Sequence, residues 1–291
     1  MFKQDHFTFW QKAIFKFRRP WMNDKTYAGW MLKRRLDSPG DIDNPKTFNE
    51  KIQWLKLYNR NPRYCRLADK YAVREYISGK IGDSYLNKLY AVYDKPEDIR
   101  LADLPDRFVL KATHGNGMNL IVPDKSAINE RKAQITARRW LSSNYYRAGR
   151  EWVYKGISRR VLCERLLTDY EGAAPMDYKI FCFNGQPRFI QVDVDRFQNH
   201  TRAFFDTEWR RQDFSLVYEE TTRPLARPER LEEMIRLAHV LAEDIPFVRV
   251  DLYALPQPVF GEMTFYPENG FGPFRPAEWD ARLGQLLRLS L

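Results

Sequence analysis

Two carboxylates sit inside apolar, β-prone runs late in the sequence. They are Asp251 in Phe247-Val248-Arg249-Val250-Asp251-Leu252-Tyr253 and Glu262 in Val259-Phe260-Gly261-Glu262-Met263-Thr264-Phe265. An unpaired charge in such a run is expensive, so each acid needs a cation, a metal or water. The short turn from Ala254 to Pro258 makes the two runs candidates for a hairpin. Alternation then places Arg249 and Asp251 on one face, and Glu262 can join them from the next strand. Two acids and an arginine on one sheet face suit a site for Mg²⁺ and phosphate. The competing reading is two hydrophilic positions on the solvated face of an edge hairpin.

Three further constellations precede that pair. Lys111 ends a strand-like run and is followed by the turn His114-Gly115-Asn116-Gly117. A lysine supplies a point charge for nucleotide phosphates, and glycines let backbone N–H groups approach them. The spacing is not that of a Walker A loop, and an ordinary tight hairpin is the alternative. Glu164, within Val161-Leu162-Cys163-Glu164-Arg165-Leu166-Leu167, lies on a strand that can offer backbone groups to an adenine edge. Its alternative is a solvent-facing Glu–Arg pair. Asp177 and Lys179 share a strand face. They suit phosphate or substrate, or form a surface ion pair worth little.

These residues need strands to carry them, and the strand signals surround them. Strands are expected over 86–93, 107–112, 119–122, 160–167, 177–183, 187–193 and 203–206, and Asn184-Gly185 marks a hairpin turn. Thr47 and Glu50 have capping-box spacing and open a helix that runs to about Tyr58. Further helices are expected over 67–80, 129–146 (anchored by Ile135, Trp140 and Leu141), 228–243 and 276–289. Hairpins followed by one long helix and another hairpin imply an α+β fold with antiparallel sheets.

Composition narrows the class. The chain has 291 residues, 44% hydrophobic and 30% charged, with 15% aromatic. That is long enough for a sizeable core and more than one lobe. An uncharged stretch of about 18 residues, long enough to span a bilayer, is not found, and the start has no apolar signal-peptide core. Three scattered cysteines, Cys65, Cys163 and Cys182, argue for a reducing cytoplasm. The formal net charge is +10, and residues 1–35 hold nine Lys/Arg against two Asp. The same segment carries Phe2, Phe7, Phe9, Trp10, Phe15, Phe17, Trp21, Tyr27 and Trp30. Phe7, Trp10, Ile14 and Phe17 recur at helical spacing, with Lys12, Lys16, Arg18 and Arg19 on other faces. Such a helix suits an anionic membrane surface. The alternative is a helix packed on the body with solvated lysines, and no nucleic-acid motif supports a DNA or RNA partner.

The order of the constellations resembles the TupA-like branch of the ATP-grasp superfamily, found in bacterial surface-polysaccharide biosynthesis. The residues that carry the resemblance are 47–52, Ala68-Asp69-Lys70-Tyr71, 108–117, 177–185, 249–253 and 261–267. It spans roughly residues 45 to 275. It implies two α+β lobes with antiparallel sheets enclosing ATP. The basic aromatic segment (1–45) and a mainly helical region (46–105) precede a grasp domain (106–291), split into a small lobe (106–163) and a large lobe (164–291). It implies Lys111 on the α- or β-phosphate and the loop His114, Gly115, Asn116 and Gly117 closing over the phosphates. Glu164, Arg165 and Leu166 become the adenine hinge, and Lys179 faces the phosphates or the acceptor. Arg249 stabilises the transferred phosphoryl group, and Asp251 and Glu262 bind Mg²⁺. The implied activity is an ATP- and Mg²⁺-dependent carboxylate–amine ligase. Its acceptor is a small-molecule or lipid-linked glycan carrying a carboxylate or amine, at the inner face of the plasma membrane. A glycosyltransferase or glycan kinase is the second reading, and a non-catalytic nucleotide-binding membrane module the third. Two departures stand out. Thr264 occupies the position where many ATP-grasp ligases have the Asn of Glu-x-Asn, and the region before the grasp domain is shorter and more helical than the usual pre-grasp domain.

Overall fold

The computed structural model describes residues 5–6, 8–169, 172–195 and 199–290. Phe2 and Phe7 of the basic segment lie outside the described residues. In chain order the helices are α1 (Phe9–Arg18), α2 (Asp24–Leu36), α3 (Phe48–Tyr58), α4 (Arg63–Ala68), α5 (Val73–Ile81), α6 (Glu130–Ser142), α7 (Tyr146–Gly149), α8 (Leu231–Leu241) and α9 (Glu278–Leu286). The strands are β1 (Leu89–Tyr93), β2 (Phe108–Ala112), β3 (Asn119–Val122), β4 (Val161–Arg165), β5 (Asp177–Phe183), β6 (Gln186–Val194), β7 (Thr201–Asp206), β8 (Ser215–Leu216), β9 (Glu219–Glu220), β10 (Phe247–Tyr253), β11 (Val259–Thr264) and β12 (Phe274–Arg275). They fall into two compact units, one of residues 1–60, 177–251 and 264–291, the other of 61–176 and 252–263. This partition by compactness is discontinuous in sequence and so differs from the linear segments of the sequence reading.

The first unit is built on the strand order β10-β5-β6-β7-β9. Its β5–β6 and β6–β7 ladders are antiparallel, and the short β7–β9 pairing is parallel. Asn184 and Gly185, both at positive φ, make the β5–β6 turn. The core explains the aromatic content. Phe48 meets Phe247 at 5.0 Å, Phe183 meets Phe247 at 5.2 Å, and Phe214 stacks on Trp279 at 4.3 Å. Helix α3 starts at the expected capping box, where Thr47 and Glu50 satisfy each other's backbone N–H groups. Helix α8 buries Leu231, Met234, Leu237, Ala238 and Leu241, the face its periodicity predicts.

The second unit holds a four-stranded antiparallel sheet, ordered β1-β4-β2-β3. Its core joins Phe108, Leu110, Val122, Val161 and Cys163 to Ala133, Ala137 and Trp140 of α6. Ile135, expected as an anchor of that helix, is instead half exposed, because two alanines occupy the inward positions. The helix expected over 67–80 is two helices. Asp69 separates them by accepting from the backbone N–H groups of Tyr71 and Ala72. A short polar side chain that captures local backbone donors competes with the helix ladder. Among the described residues no helix is long and apolar enough to cross a membrane.

Candidate functional site

In the first unit, the strand faces bring Arg249, Asp251 and Lys179 together. Arg249 grips Asp251 two residues on: Nε donates to Oδ1 at 2.7 Å and Nη2 to Oδ2 at 2.6 Å. Lys179 Nζ lies 2.9 Å from Asp251 Oδ2 and also pairs with Asp177. Asp251 is 2% exposed, which removes the solvated-hairpin reading for this acid. Burial pushes its carboxyl up, against the opposing pull of Arg249 and Lys179. Arg249 Nη2 also donates to the Thr264 hydroxyl at 3.0 Å, so Thr264 at the end of β11 returns beside β10 and orients the arginine. Lys179 is itself buried, so its ion pairs are not the weak surface kind.

The same face continues across β6 and β7. Lys179 pairs in register with Gln191, and Asp193 with Arg202. Arg202 Nε donates to Asp193 Oδ1 at 2.6 Å, and its Nη1 reaches the Leu216 carbonyl at 2.7 Å and Glu268 Oε1 at 3.1 Å. Burial alone would raise the Asp193 carboxyl, but Arg202, with His200 and Lys179, holds it well below the usual carboxylate range.

In the second unit, Glu164 stands on the face of Lys111, because Val109 is its partner in register and Lys111 lies two residues on. Lys111 Nζ is 2.9 Å from one carboxylate oxygen, and Arg74 Nη1 is 3.2 Å from the other. The Glu–Arg pair with Arg165 does not form this way: Glu164 is buried and Arg165 exposed. Glu262 takes Lys70 as its cation at 2.9 Å, and Lys70 also donates to the Gly115 carbonyl at 3.0 Å. Asp251 and Glu262 thus meet different cations. Arg165 and Leu166 line a cavity of about 430 Å³, with Leu86, Leu167, Pro256 and Val259 as apolar walls.

The turn after β2 divides its labour. His114 is buried, with Nε2 3.0 Å from the Trp140 carbonyl, and burial depresses its pKa. It therefore anchors the loop while Asn116 and Gly117 face outward. Gly117 sits at φ +74 with open space around it, whereas a Cβ on Gly115 would lie 2.6 Å from Cδ2 of Tyr145. Gly115→Ala is expected to destabilise the protein by about 1–3 kcal/mol through this overpacking. Thermal unfolding checks it, and an unchanged midpoint would mean that the tyrosine yields freely.

The spacing brings Arg249 with Asp251 and Lys179, and Lys111 with Glu164. Reading single runs missed Lys70, Arg74, Asp193, Arg202 and Glu268. A usable signal existed for one of them: in Phe189-Ile190-Gln191-Val192-Asp193-Val194 the polar residues alternate with apolar ones, which marks a polar sheet face. Among the described residues no three His, Cys, Asp or Glu converge as a metal cage. Magnesium held by one or two carboxylates and phosphate oxygens does not require one.

A model of one protein family, described as TupA-like ATP-grasp, matches residues 50–288. No curated protein matches the chain. Among solved structures, the D-alanine–D-alanine ligase of Bacillus anthracis shares 16% identity over 68% of this chain and 57% of its own, with a TM-score of 0.40. An N5-carboxyaminoimidazole ribonucleotide synthetase in complex with ADP shares 12% over 81% and 56%, with a TM-score of 0.43. A RimK-domain ATP-grasp protein from Sphaerobacter thermophilus shares 15% over 76% and 68%, with a TM-score of 0.42. The chain therefore spans little more than half the length of the first two.

Proposed function

The chain belongs to the TupA-like ATP-grasp family, and from that premise we propose that it is an ATP- and Mg²⁺-dependent ligase joining a carboxylate to an amine in cell-surface polysaccharide biosynthesis. The observation that carries this reading is the pairing of the expected phosphate cations with acids: Lys111 with Glu164, and Arg249 and Lys179 with Asp251. A phosphate chain with a divalent cation offers each side of these pairs a partner of the right sign. The donor set also fits, since hard carboxylate oxygens suit Mg²⁺ and the guanidinium fork suits phosphoryl oxygens.

When bound, Mg²⁺–ATP supplies the phosphoryl group that turns a carboxylate into an acyl phosphate open to attack by an amine. Lys111 holds a nucleotide phosphate as a point charge. Arg249, fixed by the Thr264 hydroxyl, stabilises charge on the transferred group. Asp251 and Glu262 serve as magnesium ligands, and Lys179 faces the phosphates or the acceptor. The apolar wall beside Arg165 and Leu166 receives the adenine, the hinge the sequence implies for Glu164 to Leu166. The acceptor is a small-molecule or lipid-linked glycan bearing a carboxylate or an amine.

The test is Mg²⁺-dependent release of ADP and phosphate with pooled sugar acids and amino acids. Glu262→Gln is expected to slow it about a hundredfold. Release of UDP from a sugar nucleotide without ATP use would sink the ligase reading. ADP release with phosphate retained on a glycan would select a kinase instead.

A further inference from the structure

Helix α1 presents an aromatic face to solvent. Phe9 is 77% exposed, Trp10 74%, Ile14 45% and Phe17 74%, and Trp21 just beyond the helix is 75% exposed. Soluble chains rarely leave so many large apolar side chains contiguous and uncovered. Trp10, Ile14, Phe17 and Trp21 follow the three- and four-residue steps of one helix face, and Phe9 borders it beside Trp10. The opposite side holds the one buried residue, Phe15, which stacks on Trp30 at 5.9 Å and takes the Arg34 guanidinium over its ring. Thr8 and Gln11 close a capping box at the start of the helix. The helix is thus fastened by its back, and its apolar face points away from the first unit's core.

Charge decides the occupant. Lys12 and Lys16 flank one edge of the aromatic face and Arg18 the other, all exposed. Residues 1–35 carry nine Lys/Arg against two Asp and no Glu. A second copy of the chain would bring two positive rims together, which is unfavourable. A nucleic-acid duplex would meet the cations through its phosphates but leave the Phe/Trp face uncovered, and no motif for splaying single-stranded bases onto the rings accompanies it. An anionic bilayer satisfies both parts: the rings and Ile14 enter the headgroup–acyl boundary while the flanking cations meet lipid phosphates. We propose that α1 and Trp21 form an interfacial membrane anchor that lays the protein on anionic lipid. The inference stands on the exposed face and its charge, independently of the ligase reading.

The experiment is flotation of the full chain with vesicles of phosphatidylcholine alone or mixed with phosphatidylglycerol. The protein is expected to float with the anionic vesicles at low salt and to be released as salt rises. Trp10→Ser combined with Phe17→Ser is expected to weaken partitioning about a hundredfold. Lys16→Glu with Arg18→Glu is expected to weaken it about tenfold or more, a second variant that leaves every ring in place. Failure of the full chain to float with anionic vesicles at low salt overturns the proposal. So does flotation of both variants at the unaltered level. A dimer in solution that dissociates on Trp10→Ser/Phe17→Ser would also overturn it, because a second copy would then cover the face.

Discussion

Asp251→Asn is expected to lower Mg²⁺-dependent ADP release about a thousandfold while the protein still folds. The two halves of that result have different causes. Asp251 accepts both arms of the Arg249 fork and the Lys179 ammonium, so it fixes the direction of two cations besides its proposed role as a metal ligand. An amide of the same shape keeps one acceptor oxygen and turns an NH₂ donor towards a donor. The fork loses its bidentate seat, and displacement of a positioning group by about 1 Å costs on the order of a hundredfold by itself. Stability responds less. Burial pushes the Asp251 carboxyl up, so a neutral side chain relieves desolvation at that point. Lys179 also keeps Asp177 as a partner. A net loss of about 1–2 kcal/mol is expected in urea unfolding. If Asp251→Asn retained more than about a tenth of the activity, Arg249 and its carboxylate would not be the centre of the chemistry. If the protein unfolded outright, the carboxylate would be chiefly structural.

The pattern of strands was readable because local chemistry and tertiary need agree there. Asn184-Gly185 forms its turn, and β3 occupies 119–122 as its apolar run indicates. Thr47 with Glu50 opens α3, and one apolar stripe sets the buried side of α8. Where local signals conflict, the reading loses its grip. Asp69 breaks a helix that the apolar periodicity would have continued. Helix α2 went unread although Asn23 caps it by accepting from the Thr26 N–H, because its thirteen residues carry no clean apolar stripe. At the site, spacing shows which residues share a face, since alternation is local. It does not show that Glu262 will meet Lys70, or that Glu164 will be shared between Lys111 and Arg74. Those pairs join residues far apart in the chain, and any of 48 Lys/Arg could in principle have filled each role.

Arg202→Met is expected to remove about 3–5 kcal/mol of stability at neutral pH. Arg202 is 3% exposed and holds three acceptors at once: the Asp193 carboxylate, the Leu216 carbonyl and Glu268. Methionine fills much of the volume but leaves the buried Asp193 charge without its main counterion. The damage extends along the chain. Glu268 and Asn269 have left-handed backbones at φ 50 and φ 60, a conformation that asparagine adopts readily but that a glutamate rarely holds without external constraint. Gln53 and Lys56 of α3 pin this turn through the Asn269 carbonyl, at 2.9 and 3.0 Å, and Arg202 secures its side-chain end. Arg202→Lys is expected to recover only part of the loss, since an ammonium cannot present the planar fork. The pH dependence identifies the cause. Asp193 has a folded pKa well below its unfolded value of about 3.9, so its stabilisation is complete above that value and is lost as pH falls through the folded pKa. Without Arg202, burial is opposed only by His200 and Lys179, so the carboxyl moves upward and the variant loses less stability through this group on acidification. The deficit between the unaltered protein and Arg202→Met should therefore narrow below about pH 4 in urea unfolding series. A deficit that stays constant across that range would show that packing, and not the Asp193 charge, sets the cost.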